Sequence, residues 1–239
     1  MADIILVRHG ESTINVIGEA YHRGCDLFTP EILATPDSAF ALTTAGIRHS
    51  QELGDWLREV WGLRRFIATT SSYRRAEQTY IEMGFEQPAR IDPALNEHDW
   101  GDFMRCHPEN ILRKRHNFDA RYPNETAVCA PHGESTADVY QKVASFWRGH
   151  GEHGQTAQLI ISHERTLIIL QMVIEGIRLT DANWAKMFQL RCGLTNAGMV
   201  IYQQEAGALQ RLQIERPYPK LLRTSQVYNK SFIASLNVG

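Results

Sequence analysis

A histidine with an arginine beside it follows the first apolar run of the chain. Ile4 to Val7 lead directly into Arg8, His9 and Gly10. A neutral imidazole has one donor and one acceptor nitrogen, so a histidine can be a nucleophile when one ring nitrogen is held and the other is free. The guanidinium fork of Arg8 suits phosphate oxygens, and Gly10 would let another backbone segment approach closely. The structural alternative is a histidine that bonds a carbonyl beside an arginine that bridges to a surface acid.

Two further apolar runs end in polar residues in the same way. Phe66 to Ala68 lead into Thr69 to Ser71, and Leu159 to Ile161 lead into Ser162 and His163. Short runs of this kind are typical of strands buried on both faces. The carboxyl ends of parallel strands meet in one crevice, where open α/β sheets bind their ligands. The sequence therefore predicts a site that gathers these three strand ends.

Helical patterns lie between the strands, and this alternation predicts a layered α/β fold. The predicted helices cover residues 42–61 and 74–83 and begin near Ser135 and Leu167. Residues 199–203 and 209–214 are predicted to form a hairpin at one edge of the sheet. His49 is expected on the outer face of its helix.

Two regions lack this periodicity. Residues 14–41 contain several Gly and Pro residues and are predicted to be a long surface loop. Residues 104–131 mix Arg and Lys with prolines and are predicted to form a cap or lid. The basic residues of this cap suggest a second anionic group on a ligand, although such stretches are usually solvated surface.

Composition limits the classes of function. A chain of 239 residues that is 43% hydrophobic and 22% charged fits a single domain spanning residues 1–239. The formal charge of -2 favours neither nucleic acid nor an anionic membrane as partner. The four cysteines form no C-x-x-C pair, so they indicate neither a zinc site nor a disulfide framework. No secretory signal or membrane-length apolar stretch is found, and the expected location is the cytoplasm.

The ordered motifs of the chain resemble those of the histidine phosphatase superfamily, in its phosphoglycerate-mutase-like branch (branch 1). The motifs are Ile5 to Ser12, Asn15, Leu42-Thr43 with Gly46, Ser71 to Thr79, Leu95 to Glu97 with Gly101, Gly133 to Ser135, Ile161 to His163, and Leu194 to Ala197. They cover nearly the whole chain. The resemblance implies a three-layer α/β/α sandwich with a mostly parallel central sheet, an active site at the carboxyl ends of the strands and a small inserted cap.

The resemblance also implies a role for each matching residue. His9 is the nucleophile that becomes a phosphohistidine, while Arg8, Arg75 and a protonated His163 surround the phosphoryl oxygens. Converging positive donors are what phosphoryl transfer needs. Arg75 is chosen over Arg74 because the following Ala76, Gln78 and Thr79 align it with the family arginine, and Arg74 is expected to face solvent.

Two further residues complete the predicted site. Asn15 matches an asparagine that also touches phosphate. Glu97 is the proton-transfer candidate, acting first as acid for the leaving alkoxide and then as base for the attacking water; the alternative is a surface glutamate that caps a turn. We expect no metal and no cofactor, because cationic side chains already do what a metal would do for phosphoryl transfer.

One departure from the family pattern concerns charge. Glu164 follows His163 where the family usually has Gly, so a carboxylate lies beside a pocket for anions. We expect Glu164 to turn away or to pair with Arg165 or another cation; the alternative is weakened activity on phosphate.

The predicted function is hydrolysis of a small phosphorylated metabolite, with release of phosphate. One alternative is phosphoglycerate-mutase-type phosphoryl transfer, which is disfavoured by the short connection from Glu97 to His163 and by the lack of the mutases' basic and aromatic substrate motifs. The other alternative is a catalytically weak phosphate-binding module. The substrate and the oligomeric state, a homodimer included, stay open.

Overall fold

The core of the protein is a mixed β-sheet whose first four strands run parallel. The computed structural model describes residues 3–110, 126–127, 129–150, 156–205 and 208–216. The strands are β1 (Ile4–Arg8), β2 (Phe66–Thr70), β3 (Arg90–Ile91), β4 (Ala157–Ser162), β5 (Met199–Glu205) and β6 (Ala208–Ile214). Their order across the sheet is β3-β2-β4-β1-β5-β6. The antiparallel pair β5 and β6 forms one edge, which confirms the predicted hairpin.

Helices connect the strands and begin where strands end. They are α1 (Thr13–His22), α2 (Pro30–Ala34), α3 (Thr44–Glu59), α4 (Arg74–Glu82), α5 (Thr136–His150), α6 (Glu164–Ile174) and α7 (Asp181–Arg191), with short 3-10 turns at Asp37–Ala39, Pro93–Leu95 and Gly101–Arg105. Helices α1, α4 and α6 follow β1, β2 and β4 after only a few residues, so their N-termini lie at the carboxyl edge of the sheet. Helix N-termini carry partial positive charge and favour anions.

The sheet buries both of its faces, because successive side chains of a strand point in opposite directions. On β1, Ile5 and Val7 pack in one core with residues of α3 and α4. Ile4 and Leu6 pack in a second core with residues of α5, α6 and α7. Helices therefore cover each face of the sheet, and the predicted three-layer α/β/α architecture is confirmed. None of the helices in the described ranges has the length and apolar composition needed to cross a bilayer.

The prediction of one long loop over residues 14–41 is wrong. Helix α1, helix α2 and the 3-10 turn Asp37–Ala39 occupy much of this segment. The side chain of Thr29 accepts a hydrogen bond from the backbone N–H of Ile32, and Pro30 follows it at the first helical position, where a missing N–H costs no helical hydrogen bond. Of the residues that suggested a loop, Pro30 and Pro36 thus mark helix starts, whereas Gly18 lies inside α1.

Two other expectations have different outcomes. His49 is 8% exposed and lies on the buried side of α3, so its expected outer position is wrong. Most of the predicted cap, residues 111–125 and 128, lies outside the described residues. The cap over residues 104–131 stays a prediction.

Candidate active site

The register of the sheet brings His9 and His163 together. Arg8, the last residue of β1, is paired with Ser162, the last residue of the neighbouring parallel strand β4. A histidine directly follows each of these two residues. Adjacent strands lie about 4.8 Å apart. The centroids of the two imidazole rings are 5.0 Å apart, and both side chains are buried. Histidines that are 154 residues apart in the chain therefore line one pocket at the carboxyl edge of the sheet.

The hydrogen bonds of His9 define its tautomer. Its Nδ1 lies 2.7 Å from the carbonyl oxygen of Gly10, which can only accept, so Nδ1 carries the proton. Its Nε2 accepts a hydrogen bond of 3.2 Å from Nε of Arg75, so this nitrogen is unprotonated. Burial and the positive charges of Arg75 and Arg8 lower the pKa of His9 well below 6.5. His9 is therefore neutral at pH 7, with Nε2 available to attack.

The turn after His9 is packed so tightly that only glycine fits at position 10. A Cβ atom added there would lie 2.8 Å from the carbonyl oxygen of Gly46 and 2.8 Å from Oγ of Ser50. The Gly10 N–H donates to Oγ1 of Thr79 on α4 at 2.9 Å. This bond joins the end of β1 to the helix that carries Arg75. The expected close approach at Gly10 is confirmed.

Helix α4 directs Arg75 into the pocket and leaves Arg74 outside. Arg75 is 4% exposed, whereas Arg74 is exposed to solvent, as expected. The Arg75 guanidinium lies over the ring of Tyr73, with its Cζ 4.8 Å from the ring centroid. A fixed guanidinium beside the unprotonated nitrogen of His9 is placed to donate to a group bound there.

His163 is neutral in the free protein, and its protonation beside a phosphoryl group stays a prediction. Burial, together with the proximity of His9 and Arg75, lowers the pKa of His163 well below 6.5. A phosphoryl group bound beside the ring would favour the charged form. His163 Nε2 lies 2.8 Å from the Ser71 hydroxyl, and its buried Nδ1 has no partner among the described residues. An unpartnered buried nitrogen is an open position for a ligand.

Glu97 lies at the end of a segment that is fixed to the strand ends. The carboxyl group accepts a hydrogen bond of 2.9 Å from the His98 N–H. The Thr166 hydroxyl donates to the preceding Asn96 carbonyl at 2.9 Å. Burial raises the pKa of Glu97, and the charges of Arg75 and Asp37 act on it in opposite directions. A raised pKa favours the protonated carboxyl, which is the form that a general acid needs.

The structure places Asn15 against the base of the pocket. Its Oδ1 accepts from the Ser12 N–H at 3.1 Å and from Nδ2 of Asn196 at 3.3 Å. Asn196 also donates to the His9 carbonyl at 3.1 Å. Sequence reasoning matched Leu194 to Ala197 to a family motif but gave Asn196 no role. Its contacts show that it holds the backbone of His9 in place.

Arg8 points toward the start of α6. Its Nη1 lies 3.5 Å from Oε1 of Glu164 and donates to the Leu194 carbonyl. The expectation that Glu164 pairs with a cation is confirmed, and the cation is an arginine of the predicted phosphate pocket itself. The same Oε1 accepts a 2.5 Å hydrogen bond from the Gly193 N–H.

Asp37 is a pocket residue that sequence reasoning missed. Its carboxylate forms a bidentate pair with Arg75, with Nη1–Oδ1 of 3.2 Å and Nη2–Oδ2 of 2.9 Å. It belongs to the segment predicted to be a loop, and no motif marks it. Only the fold brings it to Arg75.

A cavity of about 830 Å³ opens beside this pocket. Asp37 and Tyr73, which both contact Arg75, line this cavity. The other described lining residues are Leu33, Ala34, Thr35, Pro36, Ser38, His98, Asp99, Gly101, Asp102 and His132. Three carboxylates thus line the cavity, and none of its described lining residues is Lys or Arg.

The arrangement can accept a phosphoryl group and protonate a leaving oxygen. A neutral imidazole supplies the nucleophile, guanidinium groups supply donors, and a carboxyl with a raised pKa supplies the proton. Within the described ranges, no three His, Cys, Asp or Glu side chains come together as metal ligands would.

Comparisons with known proteins agree with this geometry. The family model described as histidine phosphatase superfamily (branch 1) matches residues 4–215. The chain is 29% identical over 167 residues to the phosphoglycerate mutase-like protein AT74H of Arabidopsis thaliana, a match that covers 61% of this chain and 53% of that protein. The chain thus spans about half the length of this curated relative.

Two other proteins match over more of their length. A 2,3-bisphosphoglycerate-dependent phosphoglycerate mutase of Nitrobacter hamburgensis is 28% identical over 198 residues, which covers 73% of this chain and 81% of the relative. Among solved structures, the alpha-ribazole phosphatase of Shigella flexneri superposes with a TM-score of 0.69 at 21% identity, over 92% of this chain and 98% of that one. At this identity the structural likeness shows the fold.

Proposed function

The chain belongs to branch 1 of the histidine phosphatase superfamily, and we propose that it hydrolyses small phosphomonoesters through a phosphohistidine on His9. The observation that carries this proposal is the state of His9. The Gly10 carbonyl holds the proton on Nδ1, and Nε2 keeps its lone pair in a buried pocket beside Arg75. A nucleophile that is neutral and oriented before substrate binds needs no base to activate it.

The proposed reaction has two steps on the same nitrogen. In the first, Nε2 of His9 attacks phosphorus, the P–O bond of the ester breaks, and the leaving oxygen takes the proton of Glu97. In the second, a water molecule attacks phosphorus and gives a proton to the Glu97 carboxylate, the N–P bond breaks, and phosphate is released. The raised pKa of Glu97 supports a carboxyl that serves as acid and then as base.

The other polar groups would hold the phosphoryl oxygens. Arg75 already donates to Nε2 of His9, so a group bound to that nitrogen lies within its reach. If Ser71 donates to Nε2 of His163, the proton of that ring lies on the unpartnered Nδ1, which can donate to the phosphoryl group. We also assign phosphate contacts to Arg8 and Asn15.

The leaving group would occupy the adjoining cavity. The carboxylates of Asp99 and Asp102 would repel an alcohol that carries a second anion. This observation favours hydrolysis of esters of uncharged or cationic alcohols over mutase chemistry on a phosphorylated acid. The mutase alternative still has support from the relatives that carry the name phosphoglycerate mutase. The cytoplasmic location stays a prediction from the sequence.

The direct test is phosphohistidine formation. The full chain is assayed for hydrolysis of p-nitrophenyl phosphate and, after acid-free quenching, for a phosphorylated imidazole by phosphorus NMR. We expect His9→Ala to lose both signals, while His49→Gln retains them because His49 lies on α3, outside the proposed set of catalytic residues. Equal hydrolysis by His9→Ala and the unmodified chain would reject the assignment.

A substrate series tests the choice between hydrolase and mutase. Because 3-phosphoglycerate carries a second anion, we expect its kcat/KM to be lower than that for phosphoethanolamine and glycerol phosphate by about tenfold or more, equivalent to about 1.4 kcal/mol. Transfer of phosphate between positions of 3-phosphoglycerate, faster than its hydrolysis, would favour the mutase instead.

A further inference from the structure

Arg75 is already bound to a carboxylate of its own chain. Its Nη1 and Nη2 donate to the two carboxylate oxygens of Asp37, and Nη1 also donates to the Asp37 backbone carbonyl at 2.6 Å. Two parallel N–H···O bonds are also what a guanidinium offers to a phosphate group. Asp37 thus occupies the donors that a phosphoryl group on His9 would use.

Arg8 is bound to a second carboxylate. Glu164 lies 3.5 Å from Nη1 of Arg8, and the Gly193 N–H holds its carboxylate from the other side. Glu164 is the first residue of α6, where a negative charge interacts favourably with the helix dipole. The position of this carboxylate is therefore fixed by three separate interactions.

Through these two contacts, each arginine of the pocket is paired with a carboxylate. Both histidines are neutral, because burial lowers their pKa values. The guanidinium groups of Arg8 and Arg75 contribute two positive charges, and Asp37 and Glu164 contribute two negative charges. A phosphate group with a charge of about -1.5 to -2 at pH 7 therefore meets two arginines that are already paired with carboxylates.

We propose that Asp37 and Glu164 are specificity-determining counter-ions that keep the affinity of the pocket for free phosphate low. Phosphate must compete with Asp37 for the same N–H donors of Arg75. Inorganic phosphate then leaves readily after hydrolysis, and a substrate must gain binding energy from its alcohol portion in the cavity. The inference rests on the proposed function, because it takes phosphate as the bound group.

Asp37 and Glu164 differ in how readily a ligand can displace their carboxylates from the arginines. Asp37 lies on the 3-10 turn Asp37–Ala39 and forms part of the cavity wall, so a ligand that enters the cavity reaches it directly. Glu164 is fixed at the start of α6 and acts on Arg8 in every state. We expect Asp37 to be displaced by the ligand and Glu164 to stay in place.

Isothermal titration with inorganic phosphate tests the proposal without requiring catalysis. The full chain is compared with Asp37→Asn and Glu164→Gln at pH 7.5. We expect each substitution to lower the Kd for phosphate by on the order of tenfold, equivalent to about 1.4 kcal/mol. Unchanged or weaker binding in both variants overturns the proposal, because a carboxylate that only positioned its arginine would leave phosphate binding weaker when removed.

Matched controls separate a local effect from loss of any acidic residue. Asp102→Asn removes a carboxylate from the same cavity wall, where it contacts His132 instead of an arginine. Glu175→Gln breaks a comparably exposed ion pair with Arg191, with an Nη2–Oε2 distance of 2.6 Å, away from the pocket. We expect Kd for phosphate within twofold of the unmodified chain in both controls. An equal tightening in the controls overturns the proposal.

Circular dichroism and the hydrolysis assay distinguish a failure of folding and a failure of the proposed function from a failure of this inference. If Glu164→Gln is unfolded by circular dichroism, Glu164→Gly replaces it, because the resembling family usually carries Gly at this position. If the unmodified chain does not hydrolyse p-nitrophenyl phosphate, the proposed function fails. The titration still decides the inference, because variants that gain phosphate binding support it and variants that do not refute it.

Discussion

Substituting Arg75 should separate the stability of the pocket from its activity. Arg75→Gln removes one partner of an ion pair in which the side chains are 4% and 16% exposed. Removing one partner of a buried pair costs about 3–5 kcal/mol, and Asp37 borders the cavity, so we take about 3 kcal/mol. For a chain of this size, about 2–4 °C in Tm corresponds to each kcal/mol, which gives a fall of about 6–12 °C.

The activity of the same variant should fall by about 10²–10³-fold, the usual effect of removing one donor to a developing oxyanion. The double variant Arg75→Gln with Asp37→Asn also removes the carboxylate that was left unpaired. We expect it to recover most of the lost Tm and none of the lost activity. Differential scanning calorimetry in phosphate-free buffer measures the first quantity, and hydrolysis of p-nitrophenyl phosphate measures the second.

The refuting results are specific to each half of this reasoning. A double variant as unstable as Arg75→Gln would mean that the unpaired Asp37 carboxylate is not the source of the cost. A double variant with restored activity would mean that Arg75 does not act on the phosphoryl group.

Three further predictions test other parts of the site. Glu97→Gln should slow hydrolysis of alkyl phosphates by about 10²-fold or more. Hydrolysis of p-nitrophenyl phosphate should slow less, because p-nitrophenolate leaves without a proton. Equal losses for both substrates in steady-state assays would exclude Glu97 as the acid. Burial lowers the pKa of His98 to about 4, so the unfolded chain binds more protons there than the folded chain as the pH falls below 6.5. In urea titrations, the stability advantage of the unmodified chain over His98→Gln should therefore shrink by roughly 3 kcal/mol between pH 7 and pH 4. A pH-independent difference would contradict the lowered pKa. Gly10→Ala places a Cβ atom 2.8 Å from the Gly46 carbonyl and should lower both Tm and activity, whereas Gly18→Ala, where a Cβ meets nothing within 4 Å, should preserve both.

The sequence predicts the sheet well because its strands carry two signals at once. The apolar runs of β1, β2 and β4 end abruptly in polar residues, and parallel strands must end at one edge. Helix α7 was not predicted, because its apolar residues do not all lie on one face. Trp184 is buried, whereas Phe188 and Leu190 are exposed, so the amphipathic pattern is weak. Strand β3 has only two residues, too few for any periodicity.

The main side chains of the site could be predicted from the sequence, but the carboxylates that pair with its arginines could not. His9, Arg75 and His163 are marked by local motifs, whereas the partner of Arg75 is an aspartate in a segment without periodicity. Asp37 and Arg75 are 38 positions apart, and which acid reaches the guanidinium depends on how the turn before α3 packs against α4. The protonation states of the histidines could not be predicted from the sequence either, since burial of a titratable group is a property of the fold.

The closeness of the two histidines explains why the pocket depends on its arginines for positive charge. Neighbouring strands hold the imidazole rings 5.0 Å apart, a distance at which two imidazolium ions would repel each other strongly in a buried site. Burial instead keeps both rings neutral, which preserves the nucleophile but removes the histidines as sources of positive charge. The charge that attracts a phosphoryl group must then come from Arg8 and Arg75. Asp37 offsets the desolvation of the buried Arg75 until a ligand takes its place, and Glu164 offsets that of the partly buried Arg8.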